Sequence, residues 1–166
     1  MDVHVQAIAD LSREHSLRVA VAESLTSGAL ASRLGAGPEA AEWFRGGIVA
    51  YGPSVKFNVL EVTPGPLVTQ RCAWEMAEGA ARLLGADVAI GVTGLGGPGP
   101  REGKAPGTVI MAVTVWGVRS CRCFHFPGDP EDVIAATVDQ AVSMVAATIR
   151  TCFTKTQHDP DTRRPG

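Results

Sequence analysis

The chain has 166 residues, 45% of them hydrophobic and 19% charged, with a formal net charge of −2. That length supports one domain with a real core, and the charge balance excludes the basic face that nucleic-acid binding requires. With no basic-then-apolar leader and no apolar run of 18 residues standing out as a membrane span, a cytoplasmic protein free of nucleic acid and membrane is expected.

Residues 3–15 carry Val3, Ala7, Ile8 and Leu11 at helical spacing and predict an amphipathic first helix. Residues 17–22 are mostly apolar and read as a buried strand that ends in Glu23-Ser24. Thr26-Ser27-Gly28 then opens a helix over 29–34, closed by Gly35-Ala36-Gly37-Pro38. A serine at such a junction has its hydroxyl at the sheet edge, near the free N–H groups of the first helical turn. That suits a nucleophile and a helix cap alike.

Residues 39–44 predict one short helical turn with Trp43 and Phe44 inward, and 46–51 a second strand. Gly52-Pro53-Ser54 turns the chain into a short segment bearing Val55, Lys56 and Leu60. Thr69 can cap a longer helix whose stripe is Cys72, Met76, Ala80 and Leu83, with Gly85 just past its end. A buried strand over 87–92 follows, then a long loop over 93–107. Residues 108–115 and 119–126 flank Trp116-Gly117-Val118 as an antiparallel hairpin.

Asp129-Pro130-Glu131-Asp132 starts a last helix with a core stripe of Ile134, Val138, Ala141, Val145 and Ile149. One domain is expected over 1–152, and a polar disordered tail over 153–166. The order of elements implies an α/β fold: a three-layer α/β/α domain with a mixed, mostly parallel sheet of about five strands. Sites in such sheets lie at the carboxyl ends of the strands, which here carry Ser24, Tyr51 and Thr93.

Gly94-Leu95-Gly96-Gly97-Pro98-Gly99 formally matches the dinucleotide fingerprint, but Pro98, Pro100 and Pro106 prevent the helix that must follow it. Lys104 after Gly103 lacks the P-loop spacing. What remains is a loop with exposed N–H groups plus Arg101 and Lys104. It is either an anion cradle or oxyanion hole, or a plain surface loop.

Cys72, Cys121, Cys123 and Cys152 form no C-x-x-C and are expected as reduced thiols. Cys121, Cys123 and His125 share one strand face, a weak beginning for a metal site, and no metal or cofactor is expected. None of the four histidines falls at a strand end facing Ser24, so a serine–histidine–aspartate triad lacks its base, whereas a lysine can serve instead. Of Lys56, Lys104 and Lys155, only Lys56 lies in an otherwise apolar stretch. Desolvation there would favour the neutral amine a base requires; the alternative is a surface lysine with its head in water.

Taken together, Ala22-Glu23-Ser24-x-Thr26, Trp43-Phe44-x-Gly46-Gly47, Tyr51-x4-Lys56, Glu75-Met76-Ala77, Thr93-Gly94-x-x-Gly97-Pro98, Pro106-Gly107-Thr108-Val109 and Phe126-x-Gly128-Asp129 resemble the CinA C-terminal domain. The resemblance is collinear from about residue 5 to 150. It implies a Ser/Lys amidohydrolase that converts nicotinamide mononucleotide to the nicotinic acid form and ammonia, without a metal. By position, it implies Ser24 as nucleophile, Lys56 as base, and Tyr51 beside the lysine to relay or orient the proton. Thr26, Gly28, Thr93, Gly94, Gly97, Arg101 and Lys104 make the expected substrate-binding set, with a homo-oligomer allowed but not required.

The family pattern also has a Cys and a Gly where this chain has Leu25 and Ser27, an Asn where it has Pro53, and two arginines where it has Pro130 and Ile134. Guanidinium groups are natural partners for a nucleotide phosphate, so the last change leaves open a different substrate or a silent, ligand-binding paralogue.

Overall fold

A computed structural model describes residues 2–156. Its elements run α1 (Val3–Glu14), β1 (Val19–Glu23), α2 (Ala29–Gly35), α3 (Ala40–Trp43), β2 (Phe44–Val49), α4 (Pro53–Asn58), α5 (Gln70–Leu84), β3 (Val88–Gly94), β4 (Thr108–Val115), β5 (Val118–His125) and α6 (Pro130–Thr156). The five strands form one sheet in the order β2-β1-β3-β4-β5. β1 pairs in parallel with β2 and β3, while β4 lies antiparallel between β3 and β5, so every strand but β4 points the same way.

The two faces of the sheet differ in the size of their side chains. On one face Val19, Val21, Ile90, Val92, Met111 and Val113 interlock with apolar residues of α1, α2 and α6. On the other, Ala20, Ala22, Ala89, Gly91 and Ala112 leave a shallow surface onto which α5 settles closely. A Cβ at Gly91 would stand 2.1 Å from the Ala73 carbonyl oxygen, which shows how near the helix lies. Helices thus cover both faces, giving the expected three layers.

Caps follow the sequence. Thr69 accepts from Cys72 N at the start of α5, and Gly85 closes it in the left-handed region. Asp129 Oδ1 accepts from Glu131 N and Asp132 N at the start of α6. The β4–β5 hairpin is tighter than expected: Val115 pairs with Val118 across Trp116 and Gly117, both at positive φ as a two-residue primed turn requires.

Several expected details change. In α1, Val3 is exposed and Val5 buried; in α5, Leu83 is exposed; in α6, Val133 takes the core place expected for Ile134. Phe44, expected inward on a helical turn, is half-buried and opens β2. A helix long and apolar enough to cross a membrane is present after all in α6, but half of that span is buried inside the fold as a core helix. The expected tail also begins too early. α6 continues through Thr156, with the Phe153 ring stacked on His15 at 3.7 Å and edge-on to Trp116 at 5.4 Å. The rest of that expected tail, residues 157–166, lies outside the described residues.

Candidate active site

β1 and β2 are neighbours, yet the chain leaves β1 towards α2 on one face and β2 towards α4 and α5 on the other. Such a switch opens a crevice at the carboxyl ends of the strands. Ser24 stands at its centre, one residue beyond β1. Its N–H donates to the Val92 carbonyl at 3.1 Å, and Ala50 N donates to the Glu23 carbonyl at 2.7 Å. The sheet ladder is thereby extended on both sides of the serine and fixes its backbone.

The opposite partner comes from α4. Gly52 and Pro53 start this short helix, Pro53 at a position where its missing N–H costs nothing, and the turn carries Lys56 back under the sheet edge. Lys56 is buried, and its Nζ lies 3.0 Å from Ser24 Oγ, 2.7 Å from the Ala50 carbonyl oxygen and 3.2 Å from that of Tyr51. A neutral amine that donates its two protons to the carbonyls has its lone pair left for the serine hydroxyl. Burial is the main cause holding the Lys56 pKa below the ordinary lysine value; Cys72, where ionised, and the Glu102 carboxylate oppose it. Burial also pushes the Cys72 thiol up to about 11, so it stays neutral near pH 7.

Ser24, Lys56, Tyr51 and Thr93 line one cavity of about 240 Å³, closed by Leu67 and Val68 on one side and by residues 94–102 on the other. Thr93 Oγ1 donates to the Leu67 carbonyl at 2.8 Å. The N–H groups of the lining residues Leu25, Gly96, Gly97 and Gly99 meet no acceptor among the described residues, so donors for an oxyanion or other anion are available around the cavity.

The expected site residues do not all reach the cavity. Tyr51 holds Lys56 through its main-chain carbonyl, while its ring is 67% exposed at the cavity rim. Thr93, Gly94, Gly97 and Arg101 line the cavity; Thr26, Gly28 and Lys104 do not. Thr26 is buried with its hydroxyl unpartnered, Gly28 precedes α2 at φ 101°, and Lys104 pairs main chain to main chain with Arg101. The first-turn N–H groups of α2 are taken: Leu30 N and Ala31 N donate to the buried Glu23 carboxylate at 2.8 and 3.0 Å, and Ala29 N to the Thr26 carbonyl. Negative charge at Ser24 must therefore be met by other donors.

Of the substituted family positions, Ser27 is exposed away from the cavity, and Pro130 and Ile134 at the start of α6 do not line it. Arg45 donates to the Leu84 carbonyl and also lies outside the lining. Arg101 is the guanidinium that does line it. Among the described residues no group of three His, Cys, Asp or Glu side chains could hold a metal, so Cys121, Cys123 and His125 do not form a site. Two residues that sequence reading passed over are Glu23 and Glu102. A carboxylate inside an apolar strand was itself a signal, because burial demands partners; Glu102 in its loop gave none.

A model of the CinA C-terminal domain matches residues 2–149 of the chain. The CinA-like protein of Frankia casuarinae is 38% identical over 137 residues, covering 80% of this chain and 32% of its own. Protein YdeJ of Escherichia coli is 37% identical over 135 residues, covering 78% of each. The chain spans about a third of the length of several of the curated relatives it matches. The crystal structure of a competence-damaged protein (CinA) superfamily protein from Enterobacter cloacae superimposes with a TM-score of 0.85 at 30% identity, over 88% of this chain and 90% of that one.

Proposed function

The chain belongs to the CinA C-terminal domain family, and from that premise we propose that it is a Ser/Lys amidohydrolase cleaving the carboxamide of a nicotinamide mononucleotide-like substrate. The observation that carries this reading is the buried 3.0 Å contact between Lys56 Nζ and Ser24 Oγ. A serine hydroxyl is a weak nucleophile unless a base takes its proton, and a desolvated amine beside it is such a base.

In the first half-reaction, the Ser24 proton passes to Lys56 Nζ as Oγ bonds to the carboxamide carbon. The oxyanion is met by unengaged N–H groups around the cavity, with that of Leu25 nearest in sequence to the serine. Collapse breaks the C–N bond, and Lys56 returns the proton to the departing nitrogen, which leaves as ammonia. Water then attacks the Ser24 ester, Lys56 takes its proton, and Oγ leaves and is reprotonated as the carboxylic acid is released. The cavity walls are neutral apart from Lys56, Arg101 and Glu102, so Arg101 is the group suited to an anionic tail.

That single guanidinium also favours a second reading, an amide whose remainder is uncharged. Ammonia release from nicotinamide mononucleotide and from free, uncharged nicotinamide separates the two. The first reading expects the nucleotide to be preferred, and Arg101→Ala to remove the preference. Equal use of both substrates by the wild type supports the second reading.

A further inference from the structure

Two walls of the cavity come from segments far apart in sequence, residues 67–68 before α5 and residues 94–102 after β3. The loop that carries the second wall is tied at its base, where Leu95 N donates to the Thr108 carbonyl at 2.9 Å and Gly107 N to the Leu95 carbonyl at 2.7 Å. Its tip is a small turn in which Arg101 and Lys104 exchange main-chain hydrogen bonds. The two residues between them, Glu102 and Gly103, have φ of 52° and 70°. Positive φ suits the glycine and strains the glutamate, so something must hold Glu102 there.

What holds it is its own carboxylate. Oε1 accepts from Leu67 N at 2.9 Å, and Oε2 accepts from Leu67 N at 3.1 Å and from Val68 N at 2.8 Å. These charge-assisted bonds reach two successive amides, and an amide side chain copies them only in part: one oxygen can sit in the Oε2 place, but its NH2 then faces the Leu67 N–H in the Oε1 place and the charge is gone. Thr93 adds its bond to the Leu67 carbonyl from beneath. We propose that Glu102 is a positioning residue. It latches the loop tip across to Leu67 and Val68, and so fixes the glycine N–H groups and Arg101 that face a substrate in the Ser24–Lys56 cavity.

The latch stands on geometry alone; its kinetic consequence rests on the amidohydrolase reading. The test uses the full chain, wild type and Glu102→Gln, with Glu131→Gln on the exposed start of α6 as control. Hydrogen exchange at the Leu67 and Val68 amides is expected to accelerate about tenfold or more in Glu102→Gln, with β3 and α5 amides unchanged. KM for nicotinamide mononucleotide is expected to rise about tenfold with kcat within about threefold, as for a lost binding rim. Glu131→Gln changes neither. Unchanged exchange at Leu67 and Val68 overturns the latch, and acceleration spread over the whole fold reduces Glu102 to a general structural role. A fall in kcat at constant KM refutes the rim assignment. If the wild type releases no ammonia, the amidase reading fails and exchange alone decides the latch.

Discussion

A lysine ringed by two carbonyl oxygens and a hydroxyl can be satisfied in either protonation state, so its surroundings decide which one is held. For Lys56 the deciding influence is burial, which disfavours the ammonium and holds the pKa below the ordinary lysine value. The neutral amine is the working form of a base, so kcat/KM is expected to rise with pH and level off below the unperturbed lysine value of about 10.4. A profile flat from pH 6 to 10, or one falling over that range, contradicts this assignment. The same depressed pKa links to stability. The unfolded chain holds the proton at pH values where the folded chain has released it, so stability falls as pH drops below the unfolded value. Lys56→Met removes that dependence, which denaturant midpoints measured from pH 7 to 10 will register.

Lys56 was legible from its apolar neighbours and Ser24 from its junction, but the carbonyls that orient the amine were not. Main-chain atoms carry no signature in sequence: Tyr51 was expected beside the lysine to relay or orient the proton, and the contact it makes is through its carbonyl. Thr26, Gly28 and Lys104 stand outside the cavity lining for a related reason. Nearness in sequence to a site residue does not say which way a turn points the next side chain.

At the scale of elements, the junction between β1 and α2 depends on Glu23. Its fully buried carboxylate takes two amides that a short helix cannot satisfy itself. Glu23→Gln keeps the shape but offers one accepting oxygen, and it is expected to cost about 2 kcal/mol, measurable by urea unfolding. A cost near zero would show that the carboxylate is not needed there. On the opposite face, Gly91→Ala drives a methyl into the Ala73 carbonyl and the Ala77 amide, 2.1 and 2.8 Å away. The expected destabilisation is about 3 kcal/mol, at the upper end for overpacking, because backbone rather than a side chain must move.

Elements were the best-read level of the sequence, since hydrophobic periodicity and caps act locally. Their buried faces were read less well. Val3 and Leu83 fit a helical stripe yet are exposed, because the stripe marks a side of the helix and not where its neighbours end.

For the molecule as a whole, topology turns two residues 32 positions apart into a pair. The chain leaves β1 on one face and β2 on the other, and the crevice between them holds Ser24 against Lys56. Sequence alone could align these residues with a family, but only the packed fold shows that Pro130 and Ile134 stand outside the cavity.

The central claim, that Ser24 and Lys56 together cleave a carboxamide, is tested most directly by ammonia release from nicotinamide mononucleotide. Wild type, Ser24→Ala and Lys56→Met are to be compared at one pH, with each variant first shown to fold. The expected result is activity in the wild type and a loss of about 10³-fold or more in each variant, since either member of such a pair fails without the other. Equal rates in all three proteins would contradict it.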